Sequence, residues 1–386
     1  MNVKIIAAVV VLVLVIAGVG VYFYMQEKDK EINVLSGVNT EGSGIYIDSS
    51  VDINTMFDFS TPVPTPKRAG WEGKIFGTPG ISTIQHVQLL QIVESMNMSF
   101  VAYTTGGSNN APNTVYFVAG ISNASLALGN NIINGGALWQ PQYQKIVDSP
   151  KYKELVLTND LFPGHACCVI AGYHGYTSTH EDETVRFLAA FVKATDWVNA
   201  ALLAGSGDDY DLLIRVAKDV AGPNFTETEI KEALETVTFF SGNKTATPLA
   251  GLSGEIALLS EDLVKLNVTT KSLKDLGFNS GTEFANKFVT DKYLLKAHKY
   301  LADGTEYKGK TASIRVAVIS GDIHQIAVHM AKELGYFEDF GLNVSFSQAV
   351  NGPGVATAIQ NGDASFGLMG APPITTTVIN GELVKA

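Results

Sequence analysis

Between residues 314 and 384, short solid runs of apolar residues alternate with segments whose apolar positions recur every three or four residues. The solid runs are 314–319, 342–346 and 364–369, and they predict three buried strands. The periodic segments predict three helices. In the first, Asp322 is placed to cap and Gln325 to complete a capping box. Ile323, Ile326, Ala327, Met330 and Leu334 then share one face, and Gly335 ends it. The second has Pro353 near its start, Val355, Ala358 and Ile359 on its apolar face, and Gly362 as its stop. The third opens with Pro372 and Pro373, carries Ile374, Val378 and Ile379, and stops at Gly381. Strand, polar turn and helix repeated in this order predict parallel βα units. Helix N-termini then line up at the carboxyl ends of the strands, where open α/β sheets bind ligands and exposed N–H groups suit anions.

The same logic recurs elsewhere. Residues 32–35 and 45–47 read as strands joined by a polar, Gly-rich turn that includes Asn39, Glu41 and Ser43. Residues 60–68 are Pro-rich and aperiodic, and predict a loop or a boundary. After the apolar residues 75–76 comes the turn with Pro79, Gly80, Ser82 and Thr83, then a periodic segment with Gln85, Val87, Leu90 and Val93. Residues 122–141 run from helix to strand and end at Trp139, Gln140 and Pro141. Residues 161–172 predict a strand. Residues 181–204 predict a long helix with acids in its first turn, and Thr226 with Glu229 and Ser280 with Glu283 predict capping boxes. Residues 302–310 are a polar linker.

An uninterrupted apolar run, 5–25, spans roughly 30 Å as a helix, one bilayer core. Lys4 precedes it, and Tyr22, Phe23 and Tyr24 stand at interface level. The positive-inside rule predicts a membrane anchor with everything after it outside the cytoplasm; a cleaved signal peptide is the competing reading. Sequons at Asn97, Asn123, Asn224, Asn243, Asn267 and Asn343 permit an extracellular chain.

Composition narrows the function classes. With 386 residues, 46% of them hydrophobic and 17% charged, the chain can bury real cores. A net charge of −11 and a pI near 5.1 disfavour nucleic acid as partner. There is no G-x-S-x-G, Walker A or dinucleotide motif, and no catalytic residue is assigned. Cys167 and Cys168 are adjacent, and neighbours in a strand point to opposite faces, so a bond between them is not expected. His165 beside them raises metal or thiol chemistry. No further Cys, Asp or Glu follows at ligand spacing, so no metal site is expected. His324, at a helix start, reads either as a donor to an anion or as a solvent-exposed polar residue, and His86 is similar.

The loop SGDIHQ after 319, the run HMAKELGYFEDFGLNV and the run AVNGPGVATAIQNGDASFGLMGAPP carry a resemblance. They resemble the periplasmic-type substrate-binding proteins of ABC importers, in the nitrate, sulfonate, taurine and thiamine-pyrimidine group. The resemblance extends over most of 32–300 and 314–386, in a changed order: the unit that opens the domain in that family here comes last. It implies a circular permutation, with residue 386 followed by 32 in the family's order.

The resemblance further implies an α/β, two-lobed periplasmic-binding-protein-like (type II) fold with a cleft. Lobe 1 is expected over 32–66, 164–300 and 313–386, lobe 2 over 67–163, and the linker 301–312 bridges the former termini. Residues 1–31 are the anchor and juxtamembrane segment. The implied ligand residues are Ser320, Gly321, Asp322, His324, Gln325, Asn351, Gly352, Gly370, Ala371 and Pro372 of the last units. Asn39, Glu41 and Ser43 join them from the hinge, and Pro79, Gly80, Ser82, Thr83, Gln85, Trp139 and Gln140 from lobe 2. Gln140 stands where the family often has a glutamate, so no carboxylate role passes to it. A small solute and an ABC permease are the implied partners, with no cofactor. A surface sensor without transport is the alternative, and a thiamine-pyrimidine synthase-like enzyme a weaker one, since only two cysteines remain. The predicted loops hold no Arg or Lys, which disfavours a doubly charged ligand.

Overall fold

The computed structural model describes residues 30–304 and 306–386; the apolar run 5–25 and Thr305 of the linker lie outside the described residues. In chain order the first strands are β1 (Ile32–Glu41), β2 (Ser43–Asp48), β3 (Phe57–Asp58), β4 (Thr65–Pro66), β5 (Ile75–Thr78), β6 (Ser99–Ala102) and β7 (Thr114–Ala119). Then come β8 (Gly135–Trp139), β9 (Tyr152–Leu157), β10 (Ala166–Tyr173), β11 (Val237–Phe239), β12 (Ala312–Ile319), β13 (Leu342–Ala349) and β14 (Phe366–Gly370). They form two six-stranded sheets, ordered β11-β1-β10-β14-β12-β13 and β6-β7-β5-β8-β2-β9, while β3 and β4 pair as a small hairpin.

Both sheets are buried on both faces. The first sheet has the helix Glu181–Ala204 and its neighbours on one face, and Ala250–Lys265, Gly352–Gln360 and Ala371–Gly381 on the other. That explains the solid apolar runs of β12 and β14: a strand covered by helices on two sides has no polar face to alternate. The second sheet carries the helix Ile84–Ser95 and Trp71 on one face, and Tyr143 and Ala127 on the other. Among the described residues, Glu181–Ala204 alone is long and apolar enough to cross a membrane, and it is mostly buried core.

The three final βα units form as the periodicity predicts, β12 and β14 lying parallel to each other and β12 parallel to β13. The Thr226–Glu229 capping box closes on both sides. The Ser280–Glu283 box closes on one side, because the Glu283 carboxylate accepts from Asn279 instead. At Asp322 the box is replaced by a short 3-10 turn, Ile323–Gln325, and Gln325 turns inward to bond Ile319 and Leu368.

The lobe boundary moves relative to the sequence expectation. β1 does not stop at residue 35 but continues to Glu41, so the polar stretch after it is strand. The turn shrinks to Glu41 and Gly42, both at positive φ (67° and 80°). β2 then pairs with β8 and β9 in the second sheet, so lobe 2 begins at residue 43 and not at 67. The chain returns through residues 158–165 into β10 of the first sheet. Helix Lys292–Asp303 takes the first three residues, 301–303, of the expected linker 301–312.

The two sheets follow one pattern. In lobe 2, β5 lies parallel to both β7 and β8, and β2, the strand by which the chain enters, runs antiparallel between β8 and β9. In lobe 1, β12 lies parallel to both β13 and β14, and β10, the strand by which the chain returns, runs antiparallel between β14 and β1. The start of β1 lies beside the last helix's end: the Ile32 amide donates to the Leu383 carbonyl at 3.1 Å.

Candidate functional site

The first βα unit brings an ionisable pair to the end of β12. Asp322 is buried and its Oδ1 accepts the His324 amide at 3.0 Å, which orients the 3-10 turn. His324 is buried as well, with 1% of its surface exposed, so it is not the solvent-facing residue that one reading predicted. Its Nε2 lies 2.8 Å from the Gly42 carbonyl. A carbonyl only accepts, so Nε2 carries the hydrogen and Nδ1 faces the other way. There it meets Cys167 Sγ at 3.6 Å and Asp322 Oδ1 at 3.6 Å. Gly42 admits this contact because it lacks a side chain: a Cβ there would overlap Nε2 and lie 2.8 Å from Val237 Cγ2.

The two cysteines do not point apart. Along β1 the pairing advances one residue, from Asn39 to Thr40, while along β10 it advances two, from Cys168 to Ala166. Cys167 is the extra residue of a β-bulge, and a bulge breaks the alternation of faces. Asn39 holds the bulge, its Oδ1 accepting the Cys168 amide at 3.2 Å. The two Sγ atoms come within 3.9 Å.

The electrostatics of the group are coupled. A hydrogen bond from Cys168, opposed by burial and aided by His324, holds the Cys167 thiol well below its usual range, and the same contact pushes Cys168 well above. Burial works against the charge of His324, but the Cys167 and Asp322 charges beside it carry its pKa up to about 9. Burial raises Asp322 to about 6, opposed by His324. The physical picture is a buried imidazolium held between a thiolate and a carboxyl group.

Lobe 2 closes over this floor. Thr83 sits where the helix Ile84–Ser95 begins, its hydroxyl donating to the Gly80 carbonyl at 2.8 Å and fixing the turn. Gln85 donates to Ser43 Oγ at 2.9 Å. Trp139 ends β8, and Asn351 starts the helix Gly352–Gln360 by accepting the Gly354 amide at 3.1 Å. The resulting cavity between the lobes is lined by Thr83, Ile84, Gln85, Trp139, Cys167, Cys168, Ile319, Asp322, His324, Asn351, Gly352, Gly370 and Pro373. About 30 Å³ of it is open, room for an ion or a few water molecules but not for an organic solute in this conformation.

Eight of the expected ligand residues therefore meet around one cavity: Thr83, Gln85, Trp139, Asp322, His324, Asn351, Gly352 and Gly370. The others fall outside its lining. Gln325 is spent on β12 and β14, and Gln140 on Thr236 and Gln144. Asn39 braces the bulge, and Glu41 accepts from the Gly164 amide across the two crossings. Ser43 lies one contact behind Gln85. Ser320 is exposed, and Gly321 faces Ala221 and Gln142. Pro79, Gly80 and Ser82 shape the lobe 2 turn, and Pro373 lines the cavity in place of Ala371 and Pro372. His86 lies behind the site, bonded to Thr78 and packed on Phe100 and Phe117. The residues that sequence reasoning missed are Ile84, Ile319 and Pro373, which are apolar, and the two cysteines. A ligand set built from sequence spacing could not find His324 as their neighbour, because it lies 157 positions away from Cys167.

Residues 323–386 match the family model described as NMT1/THI5 like. No curated protein matches the sequence. Among solved structures, the ligand-binding component of an ABC-type import system from Staphylococcus aureus, with zinc bound, is similar over 69% of this chain and 74% of that one, at 14% identity and a TM-score of 0.42. The periplasmic nitrate-binding protein NrtA from Synechocystis PCC 6803 is similar over 70% of this chain and 69% of that one, at 10% identity and a TM-score of 0.47. Both names describe binding proteins.

Proposed function

We propose that this chain is a solute-binding receptor that closes its two lobes over a small ligand and presents it to an ABC importer. The observation that carries the reading is a cavity lined from both lobes, with helix starts at Thr83, Asn351 and Gly370 turned toward it. Helix N-termini favour anionic or zwitterionic groups. Two chain crossings, at Gly42 and at residues 158–165, connect the lobes, the arrangement that hinge closure uses. Opening about them would enlarge the cavity to admit a solute of the nitrate, sulfonate, taurine or pyrimidine class. The match of residues 323–386 to the NMT1/THI5-like family model supports the same reading.

In this reading residues 5–25 anchor the receptor, with the lobes outside the cytoplasm near the permease, which raises its effective concentration there. The reordering is read as a circular permutation. The shared strand pattern of the two lobes and the contact of Ile32 with Leu383 support it.

The test is a thermal-shift screen of the full chain against nitrate, bicarbonate, alkyl sulfonates, taurine and pyrimidines. A ligand at 100 times its Kd stabilises the protein by about 2.7 kcal/mol. A hit that Trp139→Ala weakens about 10-fold or more is the expected result. A folded protein that no compound stabilises refutes the receptor reading.

A further inference from the structure

The bulge in β10 assembles a donor set that neither the solute reading nor the family match assigns. Cys167 Sγ, Cys168 Sγ and His324 Nδ1 all lie within 4.8 Å of one another, and all three residues are buried. Two thiols and an imidazole are soft to borderline donors, suited to Zn²⁺ and similar d¹⁰ ions.

The spacing can be compared with what a tetrahedral ion requires. Bond lengths of about 2.3 Å to sulfur and about 2.0–2.1 Å to nitrogen place two sulfurs about 3.8 Å apart and sulfur and nitrogen about 3.6 Å apart. The structure has 3.9 Å for Cys167 Sγ to Cys168 Sγ and 3.6 Å for Cys167 Sγ to His324 Nδ1. Those two edges are at coordination length, and the third, Cys168 Sγ to His324 Nδ1, lies within 4.8 Å.

The histidine is also oriented for the task. Ligating imidazoles commonly donate their second N–H to a carboxylate or a backbone carbonyl, which fixes the tautomer. His324 Nε2 donates to the Gly42 carbonyl at 2.8 Å, which turns Nδ1 toward the sulfurs, where it becomes a ligand once its proton leaves. The Asn39 side chain holds the bulge that turns both cysteines to one side. A divalent ion on two thiolates and a neutral imidazole is electrically balanced, which suits a buried site.

We infer that Cys167, Cys168 and His324 form a thiolate–imidazole site for a soft divalent cation at the floor of the interlobe cavity. Binding displaces two protons from the group to solvent, one from the Cys168 thiol and one from His324 Nδ1, with no change of oxidation state. Three protein donors leave one tetrahedral position, and the cavity beside Trp139, Asn351 and Gly370 is where a water or a solute donor takes it. The open volume of about 30 Å³ accommodates an ion without lobe movement. The inference extends the solute-binding reading of the same cavity, and its test separates the two.

The full chain, reduced and stripped with chelator, is titrated with Zn²⁺ against a chromophoric chelator and with Cd²⁺ under ultraviolet absorbance. Cys167→Ser, Cys168→Ser and His324→Gln are titrated alongside. The expected result is one ion per chain, a sulfur-to-cadmium charge-transfer band sized for two thiolates, and a loss of about 100-fold or more in Zn²⁺ affinity in each cysteine variant. Absence of the band in the unsubstituted chain overturns the site even if the variants do not fold. Unchanged affinity in folded cysteine variants overturns it too, by placing the ion elsewhere. The solute screen is run on the same stripped protein. Solute binding without metal binding refutes this inference and leaves the receptor reading standing, while the reverse result supports the inference and removes that reading.

Discussion

Gly42 is the residue on which the geometry of the hinge and of His324 both depend, and Gly42→Ala is the perturbation that tests it. Its φ of 80° is a left-handed conformation, which costs an alanine about 1 kcal/mol. The new methyl would also overlap His324 Nε2 and come 2.8 Å from Val237 Cγ2, in a place where neither group has room to retreat. Displacing the ring breaks the 2.8 Å bond from Nε2 to the Gly42 carbonyl, a buried and charge-assisted contact of about 1.5–3 kcal/mol. The sum is about 2.5–4 kcal/mol. Urea denaturation of the full chain measures it. The same substitution made in a His324→Ala background meets no ring, so the about 1.5–3 kcal/mol of the lost bond should drop out, leaving the backbone cost and the contact with Val237. Equal losses in the two backgrounds would show that the strain has nothing to do with His324, and the account of the hinge given above would fail.

Three further outcomes are expected. Burial lowers His86 and His329 from 6.5 to about 4 each, so both stay neutral in the fold while the unfolded chain takes up protons below pH 6.5. Stability is therefore full above that pH and declines toward pH 4, each histidine removing about 2 kcal/mol by pH 5; in His329→Phe the loss between pH 7 and pH 5, read by urea denaturation, should shrink by that amount. Arg186 is buried and donates to the Phe340 and Gly341 carbonyls at 2.6 and 3.1 Å while stacking on Tyr307, so Arg186→Ala should cost about 3 kcal/mol in the same assay. Lysine there should not restore it, because an ammonium at the carbonyls has no second nitrogen for Asp182 and no plane to stack on Tyr307. A chain in which 386 is joined to 32 by a short glycine linker, and which opens at 312 with residues 1–31 carried to the front, should fold to the same melting temperature within a few degrees; loss of folding would end the permutation reading.

The local order of this protein was legible in its sequence. The apolar runs and the 3.6-residue periodicity of residues 314–384 marked the βα units, because strands covered on two faces and helices covered on one leave different patterns. A capping box marked the helix start at Thr226, and Pro353 the one at Gly352, since such signals act between positions a few residues apart. The Gly-rich turn around Glu41, the turn residue Thr83, and Gly370, Trp139 and Asp322 as ligand candidates were also visible.

What tertiary structure alone decided depends on pairing between distant segments. Whether β2 belongs to the first sheet or the second is set by its partners β8 and β9, about a hundred residues on, and not by anything in its own composition. The face on which Cys167 and Cys168 lie was misjudged for the same reason. Alternation along a strand is a local rule, whereas a bulge is a property of the register between two strands, here β1 and β10. His324 reads as an anion donor or a surface residue at a helix start. It becomes a buried partner of Cys167 only because the fold places the end of β12 beside that bulge and beside a glycine that can admit the ring. Local sequence fixes which elements form, because their determining contacts are a turn apart. The site is fixed by which elements meet, and that is a property of the packed chain.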